Sequence, residues 1–442
     1  MKRLYFIITS LTLTLFTLNA GADDLVSIYE QAAQNDPQYR AAEADYRANQ
    51  EATTQSRAPL LPQVNLTGRT GQNTTEYKTY EPVPSREGTS EDYDSSSYSL
   101  SLSQTVYRQD YYVQLRQADA QVARAEANFR NAQQELMVRV AQRYFEYLGA
   151  IDNLGFARAE QKAIEQQLNQ TEQRFNVGLT AITDVHEARA RRDQAEAQTI
   201  NAKNELEVAR ENLREITGMP HDQIAELGED SPLLRPDPDS MDHWVETALD
   251  HSLSLIAAEK SREIADEEIN RARAGHYPSL DLVADHTYTD TEGGGFGAQQ
   301  TEDTSIALQL NVPLFSGGLV NSQTREASAR HIQAKEQYIQ QRRAIERQIR
   351  SAYLNVRANI SQVKAFAQAL ESSRTALEAT EAGFEVGTRT AVDVLNSQRE
   401  LYRAERDYAQ SRYNYILESF RLKQAAGILS EQDIQQVNAW LQ

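Results

Sequence analysis

Residues 176–189 read NVGLTAITDVHEAR, and residues 385–398 read EVGTRTAVDVLNSQ. Both run Val-Gly, a Thr-containing step, then Asp-Val, and the offset is 209 residues. A glycine permits positive φ and suits a tight reversal after a helix. An acid in the first turn of the next helix is favoured by the helix dipole, and Thr390-x-x-Asp393 has the form of a capping box. Each stretch therefore reads as the turn of a helical hairpin, and the chain makes that turn twice.

The duplication extends outward from the turns. Tyr144 matches Tyr353 and Phe175 matches Phe384 at the same offset, as do Gly178 with Gly387, Asp184 with Asp393 and Gly218 with Gly427. Leu100, Leu102, Val106 and Tyr107 match Leu308, Leu310, Leu314 and Phe315 at 208, and 57–66 matches 273–282 at 216. So long a period means two fused halves, not a solenoid. We divide the chain into a first repeat, 23–232, and a second, 233–442. Each is expected to run helix, strand, loop, strand, long helices and hairpin turn, the turns at 178 and 387.

Residues 25–57 are polar and alanine-rich and read as one helix. Period-two alternation then marks strands at about 62–72, 95–107, 278–290 and 304–315. A polar loop at about 73–94 separates the first pair, and a glycine-rich loop around 293–297 separates the second. Tyr98, Tyr107 and Tyr288 fall near strand ends, where an interfacial aromatic girdle would lie. Residues 319–382 contain neither Gly nor Pro, and as a helix would run roughly 96 Å. Sparse alanine and leucine stripes on such helices suit narrow coiled-coil seams or a helical barrel.

Met1-Lys2-Arg3, an apolar run from Leu4 to Leu18 and Ala20-Gly21-Ala22 have the form of a secretory signal peptide over 1–22. No later stretch is apolar enough for a transmembrane helix. The formal charge is -19, which argues against nucleic acid, and cysteine is absent, so no disulfide framework exists. The seven histidines form no metal-ligand pair. No set of nucleophile, base and orienting group points to an enzyme.

Four strands of membrane-crossing length leave two edges that lipid cannot satisfy, and a barrel needs about eight strands or more. Several copies must pool strands, or the chain is a soluble periplasmic coiled-coil protein with a small β domain. Pattern alone leaves both open.

Longer motifs then narrow the choice. RAPLLPQ (57–63), RFNVGLTAITDV (174–185), GGLVNSQ (317–323), AGFEVGTRTAVDVL (382–395), SRYNY (411–415) and EQDI (431–434) resemble the TolC family of outer-membrane channel-tunnels, the outer membrane efflux proteins. The resemblance runs from about Asp23 to the C-terminus. It implies a mainly α fold with β: a trimeric outer-membrane barrel of twelve strands, four per protomer, continued by a long periplasmic α-helical barrel. A mixed band near 219–250 and the C-terminus would belt its middle.

The implied function is an exit duct for tripartite multidrug efflux and type I protein secretion, with no catalysis and no cofactor. The implied partners are two further copies of the chain, a periplasmic adaptor (membrane fusion) protein, an inner-membrane efflux or ABC transporter, and outer-membrane lipid. Residue by residue, the resemblance places Asp393 and Asn396 at the periplasmic gate ring. Thr183, Asp184, Arg389 and Phe384 fall in the gate lock. Val177-Gly178-Leu179 and Val386-Gly387-Thr388 fall at the adaptor contact. Phe384 stands where the family has a tyrosine, and Asn396 where a second ring aspartate is expected. These departures imply a weaker lock and a ring of three carboxylates instead of six.

Overall fold

The structure, a computed structural model, describes residues 22–76, 90–228, 231–294 and 297–442. The signal-peptide reading falls on residues outside these, save Ala22, as do most of the first outer loop and part of the second.

Two short helices open the chain, α1 (Leu25–Asn35) and α2 (Pro37–Arg57). The single helix expected over 25–57 is broken, because Pro37 cannot donate to the preceding turn. Asp36 instead caps α2 by accepting from the Tyr39 amide. A 3-10 turn leads into β1 (Gln63–Glu76), paired with β2 (Ser90–Tyr107). Next come α3 (Gln109–Asn176, 68 residues) and α4 (Ile182–Thr217). The order then recurs: α5 (Met241–His251), α6 (Leu253–Arg273), β3 (Ser279–Thr291), β4 (Gln299–Asn311), α7 (Leu319–Glu385) and α8 (Ala391–Ala425), with a final short α9 (Glu431–Asn438). At 1.5 Å per residue, α3 and α7 are each about 100 Å long.

The strands form one antiparallel sheet in the order β1-β2-β3-β4. Their bounds differ from the sequence expectation in one consistent way. The tips of both hairpins extend further, to Glu76, Ser90, Thr291 and Gln299, although these residues are polar. Main-chain pairing does not depend on side-chain polarity, so the ladder continues past the apolar alternation. At its other end β4 stops at Asn311, not 315, where Pro313 lacks a donor and Gly317 and Gly318 turn with positive φ.

The register sorts the side chains. One face carries Val64, Leu66, Leu100, Leu102, Leu280, Leu282, Ala284, Ile306, Leu308 and Leu310. The other carries Asn65, Thr67, Ser97, Ser99, Ser101, Asp281, Asp285, Ser305 and Gln309. Tyr98 pairs directly with Tyr288 at one margin of the apolar face, and Tyr107 with Leu280 at the other. From Leu280 to Tyr288 is about 27 Å along the strand, or about 20 Å of height once tilted, close to a barrel's apolar band. His286, within this band, is satisfied by Thr304 Oγ1 at 2.8 Å.

The largest hydrophobic core lies midway along the long helices. It joins Leu25, Ile28, Leu136, Tyr144, Phe145, Leu148, Leu213, Ile349, Ile416, Ile434 and Val437. The segment after α4 is tied here by buried tyrosines: Tyr144 donates to Ala225 O at 2.6 Å, Tyr147 to His221 O at 3.1 Å and Tyr415 to Leu234 O at 2.9 Å. Short bridges join Asp23 to Ile224 and Leu227 to Leu441, so both ends of the described chain and the midpoint meet in this band.

Beyond the band, α3 packs against α4 and α8, and α8 against α7, which leaves α4 and α7 at opposite edges. Towards the sheet, α3 packs against α2 and α6, and α6 against α7, leaving α2 and α7 at the edges.

Candidate functional site

The two helical hairpins end together, far from the sheet. Each first helix closes in a Schellman motif. Leu179 N bonds Arg174 O at 2.8 Å and Gly178 N bonds Phe175 O at 2.9 Å; Thr388 N bonds Gly383 O at 2.8 Å and Gly387 N bonds Phe384 O at 3.2 Å. Both motifs need a left-handed residue, and Gly178 and Gly387 supply it with φ of 80° each.

The returning helices start differently. Thr390 caps α8 with the full box: Asp393 N bonds Thr390 Oγ1 at 3.2 Å, and Asp393 Oδ2 accepts from Thr390 N and Oγ1 at 2.9 Å. Hydrogen bonds from the Thr390 backbone and then its hydroxyl hold the Asp393 carboxyl below the ordinary carboxylate range. A depressed pKa contributes stability above the unfolded value and loses it as pH falls through the folded one. The start of α8 therefore holds from neutral pH to below the usual carboxylate range. In α4 the N-cap is Ala181, which cannot cap, and the Asp184 carboxylate is taken by Thr180 Oγ1 instead.

Of the residues named for a lock, Thr183 and Asp184 do not meet Arg389 within one chain. Thr183 and Asp184 lie on α4 at one edge, and Arg389 lies in the turn after α7 at the other. Among the described residues no ion pair joins Arg389 to Asp184. Asn396 accepts from Arg191 Nη2 at 3.5 Å, a contact from α4 to α8. Phe384 is buried among Leu377, Ala391 and Val394. Val177, Leu179 and Val386 are about 70 % exposed or more (70, 68 and 77 %), so the turns present apolar side chains to water.

Several residues at this end went unread in the sequence. A Cβ on Gly383 would fall 2.8 Å from Arg389 Cγ, so a side chain there would push the Arg389 side chain out of its place. Glu160, almost wholly buried on α3, is paired by Arg406 of α8 at 3.2 Å. Arg174 of α3 stands over the Phe384 ring. No local signal marks the Glu160–Arg406 and Arg174–Phe384 contacts, whose partners are more than 200 residues apart.

An open sheet with one apolar and one polar face, joined to helices of about 100 Å, defines a subunit of an outer-membrane channel with a helical extension. The outer membrane efflux protein family profile matches residues 28–219 and 244–428. The outer membrane protein TolC of Vibrio cholerae serotype O1 is 38 % identical over all of this chain and 99 % of its own length. The proteases secretion protein PrtF of Dickeya chrysanthemi is 31 % identical, over 99 % of this chain and 95 % of its own. The solved structure of the outer membrane protein VceC from Vibrio cholerae superposes with a TM-score of 0.76 at 20 % identity, covering 91 % of this chain and 96 % of that one. The chain belongs to the outer membrane efflux protein family. It is an outer-membrane exit duct whose subunit joins an open four-stranded sheet to long helices, and the alternative of a soluble coiled-coil protein is not favoured.

Proposed function

We propose that three identical copies close the duct, which passes both small toxic molecules and secreted proteins from an inner-membrane transporter joined to it by a periplasmic adaptor. One observation carries the closure. The two open edges run the length of the subunit, β1, α2 and α4 along one side and β4 and α7 along the other. Copies joined head to tail satisfy both at once, β4 on β1 and α7 on α2 and α4, and three give twelve strands. Ile332 and Leu354 on α7 and Ile200 and Val208 on α4, all exposed in one chain, favour such a seam. Relatives named for protease secretion as well as efflux support the double cargo.

The paired tips form the gate in this reading. Thr183 and Asp184 of one copy face Arg389 of the next, since a single subunit holds them on opposite edges. Such a partly exposed pair contributes about 0–1 kcal/mol, which suits a lock that a partner opens. Asp393 converges on the axis in three copies, the carboxylate both capping α8 and repelling its counterparts. The exposed turns Val177-Gly178-Leu179 and Val386-Gly387-Thr388 take the adaptor.

Purified protein is expected to sediment as a trimer and to conduct in planar bilayers, with Arg389→Ser raising single-channel conductance. A lone, non-conducting polypeptide ends this reading. Unchanged conductance in the variant removes the lock alone. Deleting the gene is expected to raise drug sensitivity and to stop protein export. Asn396→Asp is expected to tighten block by multivalent cations only about threefold, because Arg191 stands ready to pair the added carboxylate. Titrating the block with a trivalent cation checks this, and equal affinity in the parent and variant contradicts a ring at this level.

A further inference from the structure

Arg174 lies in the last turn of α3, and its guanidinium carbon is 4.6 Å from the centroid of the Phe384 ring. That ring belongs to the last turn of α7, so the contact joins the two hairpins of one subunit. Phe384 is 8 % exposed, its ring closed in by Leu377, Ala391 and Val394. A cation over a dry aromatic face is held by the ring quadrupole more firmly than one in water. Among the described residues Arg174 forms no ion pair, so the ring is its side-chain partner.

The contact exists once per chain, although the halves are duplicated. Gly383 occupies the position matching Arg174, and Phe175, which matches Phe384, is 38 % exposed with no cation over it among the described residues. Higher up, the hairpins are joined by Arg191 to Asn396 and by Arg406 to Glu160, with Leu395 packed among Ile164, Ala188 and Ala195. Below Arg191 the described residues offer no other charged or hydrogen-bonded side-chain link between them.

We propose that Arg174 is a positioning residue that latches the second hairpin against the first at the tip, and that its release from the Phe384 ring is part of opening. The proposal rests on the reading of the tip as the gate. The latch works inside each subunit, whereas Arg389 and Asp184 act between subunits. Opening the duct must therefore break two kinds of contact, and only one of them is a charge pair that salt can screen.

The test is single-channel recording of Arg174→Ala, Phe384→Leu and the double variant, after trimer assembly and Tm are checked. Each single change is expected to raise the open fraction about fivefold, and the double change no further, because both remove one contact. Phe384→Tyr keeps the ring under Arg174 and is expected to open no more often than the parent. If Arg174→Ala fails to assemble, Arg174→Gln keeps the stem and carries the same expectation. A conducting parent with unchanged Arg174 variants overturns the latch alone, as do single effects that multiply in the double variant. A parent that conducts nothing overturns the duct reading and the latch with it.

Discussion

Ile306→Arg is expected to keep this protein out of the outer membrane, while Ala307→Arg, one residue along, leaves insertion intact. Ile306 lies on the apolar face of β4, opposite Ala284 and 75 % exposed in the subunit. It falls midway between Leu310 and Glu302, which mark the two margins of that face on β4. An arginine at the bilayer midplane costs about 2–4 kcal/mol on a barrel's lipid face. Three copies per duct raise that to roughly 6–12 kcal/mol for the assembled channel, comparable to the whole stability of a typical domain. Ala307 points to the polar face among Gln309 and Ser305, where a charge meets water in the lumen and shifts ion selectivity towards anions. Membrane fractionation and SDS-resistant trimer on gels measure both. Normal insertion and conductance of Ile306→Arg would refute the assignment of faces. In a soluble protein the same change would be harmless, since it replaces an exposed isoleucine.

Gly427→Ala should destabilise the subunit by about 3–5 kcal/mol, and Gly387→Ala by only about 1 kcal/mol. Both glycines end a helix with positive φ, 76° and 80°. Their surroundings differ. A Cβ on Gly427 would lie 2.1 Å from His251 O, 2.7 Å from the His251 carbonyl carbon and 3.0 Å from Ser252 Cα. These are backbone atoms at the junction of α5 and α6, inside the mid-helix band, and they cannot swing away as a side-chain tip would. At Gly387 nothing stands within 4 Å of the added carbon, so only the backbone conformation is strained. Thermal unfolding of the two variants decides the matter, and equal losses would mean that packing at Gly427 is not the constraint. The comparison also separates two roles of the tip glycine. If Gly387→Ala folds and assembles yet loses efflux, the turn serves docking as well as chain reversal.

Much of the architecture was legible in local pattern. Period-two alternation along the chain pointed to four strands, since each strand has one face towards each environment. Gly178 and Gly387 located both tips, because a helix reversal demands a residue free of a Cβ penalty. Other features were hidden for equally physical reasons. Pro37 split a helix that composition alone presented as continuous, and the hairpin tips continued as strands through polar residues, because main-chain hydrogen bonds do not follow side-chain hydropathy. The tip looked twofold in sequence and is not. Thr390 caps where Ala181 cannot, Phe384 is buried where Phe175 is exposed, and Arg174 faces a ring supplied 210 positions later.

What the residues settled unaided is therefore local and periodic: which segments are strands or helices, where they reverse, which faces are apolar, and that one copy has too few strands to shelter its edges in lipid. What the fold alone settled is pairing at a distance. It put Asp184 and Arg389 on opposite edges, Glu160 beneath Arg406, Gly427 against His251 and Arg174 on Phe384. Such contacts depend on which helix lies beside which, and that choice is made by burial summed over whole helices, not by any short run of residues.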